Sequence, residues 1–162
     1  MIASDDAVIG TPYARMWGAY LTGMWLYRLS LAKVKWHSLT GEPLTGKEAA
    51  AVELINESVP FDRLEARVAE IAAKLATIPL SQLQAQKLIV NQAYENMGLA
   101  STQTLGGILD GLMRNTPDAL GFVDTAERDG VRAAVERRDG PWGDYSQAPP
   151  DRRPDPNHVI EP

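Results

Sequence analysis

The sequence predicts a mainly α-helical protein with one or two short strands. Apolar residues recur at helical spacing in the middle of the chain, glycines and prolines fall where helices would begin or end, and extended stretches are few. With 162 residues, of which 44% are hydrophobic and 23% charged, the chain has the length and composition of one ordinary globular core.

Composition excludes several classes of function. The net charge is −5 and the lysines and arginines are scattered, so no nucleic-acid partner is predicted. The chain has no cysteine, which excludes disulfides, zinc–thiolate sites and thiol catalysis. Asp5 and Asp6 stand where a signal peptide would need a basic flank, and no apolar run reaches the length of a membrane span. We therefore expect a cytoplasmic protein with no membrane partner.

The first third of the chain predicts an extended segment, a turn and helices. Ile9 to Gly18 reads IGTPYARMWG, an extended apolar pair that runs into a Gly-Thr-Pro turn. Dense apolar and aromatic residues from Trp17 to Leu39 predict one or two helices. Thr45 is expected to cap a short helix over 47–53, with Glu48 completing a capping box.

The middle of the chain predicts a strand and then a train of helices. Leu54 to Pro60 reads LINESVP, which is typical of a short strand stopped by proline. Asp62 precedes a helix that ends at Pro79 and carries one apolar stripe: Leu64, Val68, Ile71, Leu75 and Ile78. A second helix from about Ser81 to Gly98 is expected to pair with it, and a third opens at Ser101 or Thr102. Glycines in that third helix predict the close approach of another backbone.

Three regions follow from this pattern. Residues 1–60 carry the extended segments and short helices, residues 61–143 carry the helical train, and residues 144–162 form a Pro-rich tail. That tail has too little apolar content to offset its ordering entropy, so it is predicted to be disordered. Pro117 and Gly130 bracket helical material before the last basic stretch.

The order of these segments resembles the C-terminal half of the crotonase superfamily, the enoyl-CoA hydratase/isomerase family. The resemblance is carried by IASDDAVIGTPYARMWG at Ile2 to Gly18, LTGEPLTGKEAAAVELINESVP at Leu39 to Pro60, and FDRLEARVAEIAAKLATIPLSQLQAQKLIVNQA at Phe61 to Ala93. RDGVRAAVERRDGPW, at Arg128 to Trp142, is similar to the terminal basic helix of the family. The resemblance covers about residues 1 to 143 and depends on order and spacing together.

The resemblance implies a fold, a chemistry and partners. The fold would be the C-terminal portion of a ββα spiral, and the substrate an acyl-CoA thioester whose enolate is stabilised by two backbone N–H groups. Coenzyme A would enter as part of the substrate, with no metal or redox cofactor. Neither N–H donor is located in this sequence, and Met1 stands within a family strand. We therefore expect an incomplete, inactive chain that needs an N-terminal crotonase half, or a homo-oligomer (trimer or hexamer) of the family type.

The resemblance also implies candidate site residues. Tyr13 occupies the position after the turn proline where hydratases place a catalytic glutamate. A phenol, with a reference pKa near 10 against about 4.3 for glutamate, does not replace a carboxylate base near neutral pH. Tyr13 could instead orient a thioester or donate a proton, or could simply be a packed turn residue. Pro12, Met16 and Trp17 are predicted to border the acyl pocket, with core packing as the alternative for Trp17.

Other residues leave two interpretations open. The aromatic cluster Tyr20, Met24, Trp25 and Tyr27 would either reshape the pocket or pack in the core. Lys87, Arg137 and Arg138 would either meet CoA phosphates or form a solvated face. His37 has no partners at ligand spacing, so it predicts no metal site.

Two further functional hypotheses compete with the enzyme. A chain of this kind could be a non-catalytic interaction module that presents a broad apolar surface to a partner. It could also be an unrelated α-helical ligand-binding domain, in which case the ordered matches would be accidental.

Overall fold

The computed structural model describes residues 1–10, 13–20 and 22–142 of the chain. Most of these residues are helical: α1 is Leu31–Thr40, α2 Gly46–Ala51, α3 Leu64–Ala76, α4 Leu80–Asn96, α5 Leu99–Met113, α6 Pro117–Asp129 and α7 Val131–Asp139. Short 3-10 turns occupy Tyr13–Met16, Thr22–Tyr27, Phe61–Arg63 and Gly140–Trp142. The predicted mainly helical class is confirmed, and the predicted tail at 144–162 lies outside the described residues.

Strand structure is confined to two small sheets near the start of the chain. The strands are β1 (Ile2–Ser4), β2 (Val8–Ile9), β3 (Leu44–Thr45) and β4 (Glu57–Val59). β1 pairs with β4 in parallel, with Ala3 opposite Ser58, and β2 pairs with β3 in antiparallel fashion. The predicted LINESVP strand therefore exists at its polar end, while Leu54 and Ile55 precede it as core residues.

The buried core lies between these sheets and the first two helices. It is formed by side chains that share low exposure and mutual contact: Leu29, Val34, Leu44, Ala49, Leu54 and Ile55. Trp25, Ile9 and Ala3 pack against it as partly buried neighbours. This core fixes the β2–β3 ladder and therefore the point at which the chain leaves β2.

Local capping explains where the short helices begin. Thr45 accepts a hydrogen bond from the Glu48 backbone N–H, and the Glu48 carboxylate accepts one from the Thr45 N–H at 2.8 Å. This is the predicted capping box, and it is confirmed. The backbone N–H of Thr45, followed by its hydroxyl, lowers the pKa of the Glu48 carboxyl. At the start of α6 the Thr116 hydroxyl accepts a hydrogen bond from the Ala119 backbone N–H, and Pro117 is the first residue of the helix.

The helices α3 and α4 lie within the predicted bounds, while α5 begins at Leu99, before the predicted start at Ser101 or Thr102. Not all of the predicted burial is found. α3 carries the predicted apolar stripe, yet Val68 and Leu75 are each 47% exposed. α3 packs principally against β1, and α4 packs against α5, so the expected α3–α4 pair is replaced by an α4–α5 pair. The linker between α3 and α4 ends in Pro79, which directly precedes the first residue of α4.

One glycine of α5 allows the close approach that the sequence predicts. A Cβ atom at Gly106 would lie 2.6 Å from the carbonyl oxygen of Tyr20, which is inside the van der Waals limit. The Tyr27 hydroxyl also reaches Thr102 of α5 at 3.2 Å. α5 is therefore docked on the segment that follows the Tyr13–Met16 turn.

Candidate functional site

The candidate site is the turn that follows β2. Gly10 ends the strand with φ +152°, and a Cβ atom there would lie 2.9 Å from the Cα of Pro43. Only glycine tolerates both that φ and that approach, so the end of β2 can lie against Pro43, just before β3. The chain then continues through the Tyr13–Met16 turn, which packs against α1.

Arg15 anchors this turn to the far end of the chain. Its Nε donates to Asp139 Oδ1 at 3.1 Å, across 124 residues of sequence. Its Nη1 donates to the carbonyl of Thr40, the last residue of α1. Its guanidinium carbon lies 5.6 Å from the centre of the Trp142 ring, within cation–π range. The turn is thus held between the C-terminal ends of α1 and α7.

Asp139 is the carboxylate at the centre of this arrangement. Arg138 donates to it through Nε at 2.9 Å and Nη2 at 2.6 Å, in addition to the bond from Arg15. The hydrogen bonds from Arg138 lower the pKa of Asp139, although burial alone would raise it, and Arg15 adds to the lowering. Asp139 is therefore an ionised, fully paired carboxylate at neutral pH.

Trp17 follows the turn and packs against α6. Its ring centre lies 5.4 Å from that of Phe122 in a tilted arrangement. Arg138 covers the same Phe122 ring at 5.0 Å. Trp17 has φ +52°, a left-handed backbone that a bulky residue adopts only when its surroundings hold it there. The aromatic side chain is therefore fixed by tertiary contacts.

A cleft of about 420 Å³ opens beside Trp17. Its walls come from α6 and α7 and combine aromatic, small and charged side chains: Trp17, Pro117, Asp118, Gly121, Phe122, Thr125, Ala134, Arg137 and Arg138. Arg137 is exposed at its rim, whereas Arg138 is turned toward Asp139. The cleft offers an apolar wall with one exposed guanidinium.

A second cleft, of about 340 Å³, lies where β4 meets α3. Arg67 forms a fork with Glu57, at 2.9 Å from each carboxylate oxygen through Nε and Nη2, and also bonds Glu70 at 2.7 Å. Hydrogen bonds from Lys74 and then Arg67 lower the pKa of Glu70 to about 2. Arg67 and Glu70 therefore pair within the cleft, and the exposed Arg63 also lines it.

The predicted site residues fall in different places. Pro12 and the side chain of Tyr13 lie outside the described residues, although the backbone of Tyr13 begins the 3-10 turn. Met16 is 45% exposed, and Trp17 lines the cleft beside α6. The turn brings the backbones of Tyr13, Met16 and Trp17 together, and their roles in substrate binding stay predictions.

The aromatic cluster divides between the two interpretations. Trp25 packs on the core and on the His37 ring at 5.8 Å, and Tyr27 meets Tyr94 edge-on at 5.6 Å. These two residues support packing between helices. Tyr20 is about half exposed and presents its ring toward α5 near Gly107. The cluster therefore holds α1 and α5 to the segment after the turn.

His37 and three basic residues lie at the other positions singled out in the sequence. His37 is buried, with Nδ1 2.8 Å from the carbonyl oxygen of Glu42. The alternative that Arg138 forms a solvated face is wrong, because its side chain is only 16% exposed and pairs with Asp139. Its contact with CoA phosphates stays a prediction. Lys87 and Arg137 are exposed on α4 and α7. Among residues 1–10, 13–20 and 22–142, no group of three His, Asp or Glu side chains is placed to hold a metal ion.

Sequence reasoning missed the Arg15–Asp139 pair. Its partners are separated by almost the whole described chain, and neither position has a local signal that would link it to the other. A sequence signal does exist at Asp139, since a carboxylate at the last residue of a helix faces the negative end of the helix dipole. A cationic partner would offset this unfavourable interaction.

Searches against family models and against curated proteins found no match. Comparison with solved structures did find relatives. An enoyl-CoA hydratase from Mycobacterium smegmatis is 40% identical, with a TM-score of 0.82, and the match covers 89% of this chain and 50% of that chain. An enoyl-CoA hydratase/isomerase from Xanthobacter autotrophicus Py2 is 26% identical, with a TM-score of 0.76 over 88% of this chain and 54% of that one.

A structure from Novosphingobium aromaticivorans DSM 12444 supports the fold alone, at 20% identity and a TM-score of 0.77 over 90% of this chain and 53% of that one. The chain thus spans about half the length of these relatives. Together the matches define the fold as the C-terminal portion of the crotonase type. The resemblance to the enoyl-CoA hydratase/isomerase family, predicted from the sequence, is thereby confirmed. No helix in the described part of the chain is long and apolar enough to cross a bilayer.

Proposed function

We propose that this chain contributes to an enoyl-CoA hydratase/isomerase family enzyme that acts on an acyl-CoA thioester through enolate stabilisation. The observation that carries the proposal is the 40% identity and TM-score of 0.82 to the Mycobacterium smegmatis enoyl-CoA hydratase over 89% of this chain. The substrate class, the reaction and the cytoplasmic location are carried over from the family as proposals. Coenzyme A takes part only as the carrier of the acyl group.

The proposal includes a division of labour. Preorganised N–H donors aimed at the developing oxyanion supply a few kcal/mol each, and acyl-CoA chemistry of this type depends on them. We infer that these donors come from a segment of the N-terminal crotonase type, which lies outside the half of the related enzyme that this chain matches. Two observations support this: the match covers about half of the related enzyme, and α4 and α5 expose many apolar side chains. The isolated 162-residue chain is then inactive.

Within this scheme the turn after β2 contributes the contact to the acyl group. Tyr13 orients the thioester or donates a proton, since a phenol is protonated near neutral pH. Pro12, Met16 and Trp17 border the acyl group. The support is positional: the turn is fixed at both ends, and Trp17 borders an aromatic-walled cleft of about 420 Å³.

One observation favours a second function, that of a non-catalytic subunit in a larger assembly, such as a trimer or hexamer. Apolar residues of α4 and α5 are more than half exposed: Leu88, Ile89, Val90, Leu105, Ile108 and Leu112. Surfaces of this kind mark contacts with other proteins. The interaction function requires no turnover of a thioester.

Acyl-CoA turnover by a complemented enzyme tests both functions. The chain is purified alone, and also co-expressed with the N-terminal half of the Mycobacterium smegmatis enoyl-CoA hydratase. Loss of the enoyl-thioester absorbance of a series of enoyl-CoA substrates is then measured. We expect no turnover by the chain alone and measurable turnover by the pair.

The matched variants are Tyr13→Phe, which removes only the hydroxyl, and Tyr27→Phe, which removes a hydroxyl bonded to Thr102. We expect Tyr13→Phe to lower kcat by about 10²-fold or more, as expected for loss of a general acid, and Tyr27→Phe to leave it within about twofold. Turnover by the chain alone would overturn the dependence on a partner. A stable complex with no turnover of any enoyl-CoA would favour the non-catalytic subunit.

A further inference from the structure

We propose that Asp139 is a positioning residue that acts through Arg15 to hold the Tyr13–Met16 turn in place. Its importance for catalysis rests on the function proposed above, but the structural claim stands separately. Asp139 is the last residue of α7, and Arg15 is the third residue of the turn. The pair therefore joins the end of the helical train to the segment that carries Tyr13.

Burial makes the pair specific. The side chains of Arg15 and Asp139 are only 9% and 8% exposed, and the Nε–Oδ1 distance is 3.1 Å. Most ion pairs in the described chain are far more exposed, such as Lys74 with Glu70. Exposed pairs of that type contribute little to order, whereas removal of one partner from a buried pair leaves an uncompensated charge. The geometry therefore makes each partner depend on the other.

The groups around Arg15 hold its guanidinium in one position. Two guanidinium groups, from Arg15 and Arg138, face one carboxylate, which leaves an excess of one positive charge. Arg15 meets two further electron-rich groups: the carbonyl of Thr40 at the negative end of α1, and the face of the Trp142 ring. Since these partners lie on different elements, Arg15 cannot move without breaking contacts to several of them.

Asp129 shows what a comparable residue looks like without this role. It ends α6 as Asp139 ends α7, and it pairs with the preceding arginine, Arg128, at 2.7 Å. Asp129 is 43% exposed. Its bonds to Arg128 are local, whereas Asp139 also receives the bond from Arg15 across 124 residues. The long-range bond from Arg15 therefore distinguishes Asp139 from Asp129, although both residues end a helix.

The position of Arg15 affects the position of Tyr13 through the backbone of the turn. Arg15 lies two residues after Tyr13 within one short 3-10 turn, so a displacement of its backbone displaces that of Tyr13. On the other side, Trp17 holds a left-handed backbone while its ring rests on Phe122. With Arg15 released, the turn keeps only its packing against α1 and the contact of Trp17, which is already in an unfavourable conformation.

Hydrogen exchange measured on the chain itself tests the structural claim. Asp139→Asn is compared with Asp129→Asn, which makes the same chemical change at the end of the neighbouring helix. We expect amides of residues 13–17 to exchange about tenfold faster or more in Asp139→Asn, with amides of α3 unchanged, because a buried charge loses its partner. Asp129→Asn should leave residues 13–17 at the wild-type rate.

Arg15→Lys provides a second variant, which leaves the Asp139 carboxylate and its bonds from Arg138 in place. It keeps the charge but loses the planar fork, and we expect an intermediate acceleration limited to the same residues. If Asp139→Asn unfolds the whole chain, Arg15→Lys decides the question. Unchanged exchange at residues 13–17 in both Asp139→Asn and Arg15→Lys overturns the proposal.

The catalytic consequence is measured in the complemented enzyme described above. We expect Asp139→Asn to lower kcat by about tenfold or more with a smaller change in KM, because a misplaced group costs chemistry more than binding. Asp139→Glu should restore part of that kcat, which a role limited to stability would not require. If the wild-type pair shows no turnover, the proposed function fails while the exchange result still decides the role of Asp139. Fast exchange combined with unchanged kcat would limit Asp139 to structure and overturn its role in positioning Tyr13.

Discussion

The region around β1–β4 with α1 and α2 differs from the region of α3 to α5 in how its apolar side chains are covered. In the first region, residues from distant segments such as Leu29, Leu44 and Ile55 meet in one buried cluster. In the second region, α3 and α4 contain no buried residue, and apolar side chains such as Leu88 and Ile89 are exposed. Both regions have helices with ordinary local signals.

The difference teaches that helix formation and core formation are separate requirements. α3 and α4 are helical because of their composition, their proline boundaries and pairs such as Glu70 with Lys74. The first region is ordered because its side chains exclude water from one another. Stability should therefore be concentrated in the first region, and apolar surface available to a partner in the second.

The largest effect is expected from truncating one isoleucine in each region. Ile55→Ala removes a side chain that is 3% exposed and should lower the free energy of unfolding by about 2–5 kcal/mol. Ile89→Ala changes a side chain that is 67% exposed and should stay within about 0.5 kcal/mol of wild type. Urea denaturation followed by circular dichroism measures both. Equal losses would show that α4 is covered in solution.

A smaller effect is expected where the two regions meet, at Gly106 of α5. Gly106→Ala places a methyl group 2.6 Å from the Tyr20 carbonyl oxygen and should cost about 1–3 kcal/mol through strain. Gly111→Ala is the matched control in the same helix, because a Cβ atom there meets nothing within 4 Å. It should stabilise the chain by about 0.5–1 kcal/mol through helix propensity. A stabilising Gly106→Ala would mean that α5 does not dock on Tyr20.

A pH-dependent effect is expected at the anchor of the turn. The groups that face Asp139 are Arg138 on its own helix and Arg15 from the turn, and the pKa of Asp139 is lowered in the fold. A lowered pKa contributes stability that is complete above the ordinary Asp value, about 3.9, and is lost as the pH falls through the lower folded value.

The difference in melting temperature between wild type and Asp139→Asn should therefore be constant from pH 7 to about pH 5, and should shrink below about pH 4. Thermal melts across this range measure it. A difference that grew on acidification would contradict the ionised pairing of Asp139. Asp129→Asn, at an exposed helix end, should show a smaller difference at every pH.

The smallest effect is expected from the exposed ion pairs on α3. Arg67→Gln removes the fork to Glu57 and the bond to Glu70. We expect a slight fall in melting temperature at low salt that fades as salt is raised, because exposed pairs are screened. Lys74→Gln, which removes only the bond to Glu70, should have a still weaker effect. A large, salt-independent loss would show that the Arg67 cluster supports β4 and belongs to the first region.

The local features of this fold could be predicted from sequence because their causes are local. The Thr45–Glu48 capping box depends on residues three positions apart, and it forms as expected. The boundary of α6 at Pro117 and Gly130 depends on backbone chemistry at those positions. The family resemblance could be identified from the sequence for a related reason, since it depends on the order of such local segments.

The contacts at the candidate site could not be predicted in the same way. The resemblance implies that Arg138 meets CoA phosphates or forms a solvated face. Its position against Phe122 and its pairing with Asp139 depend on residues that its sequence neighbours do not reveal. The apolar stripe on α3 predicted burial, yet periodicity gives the face of a helix and not what covers it. Trp17 gave no signal of its left-handed backbone.

The sequence by itself determined the helices, their caps and the family to which they are similar, because propensity, capping and proline geometry act between residues a few positions apart. Only the tertiary structure decided that Arg15 meets Asp139, that Gly106 admits Tyr20, and which apolar faces are covered. The physical reason is that a buried ion pair or a close backbone approach gains its energy from the complete packing around it. That packing is a property of the folded chain and not of any short segment.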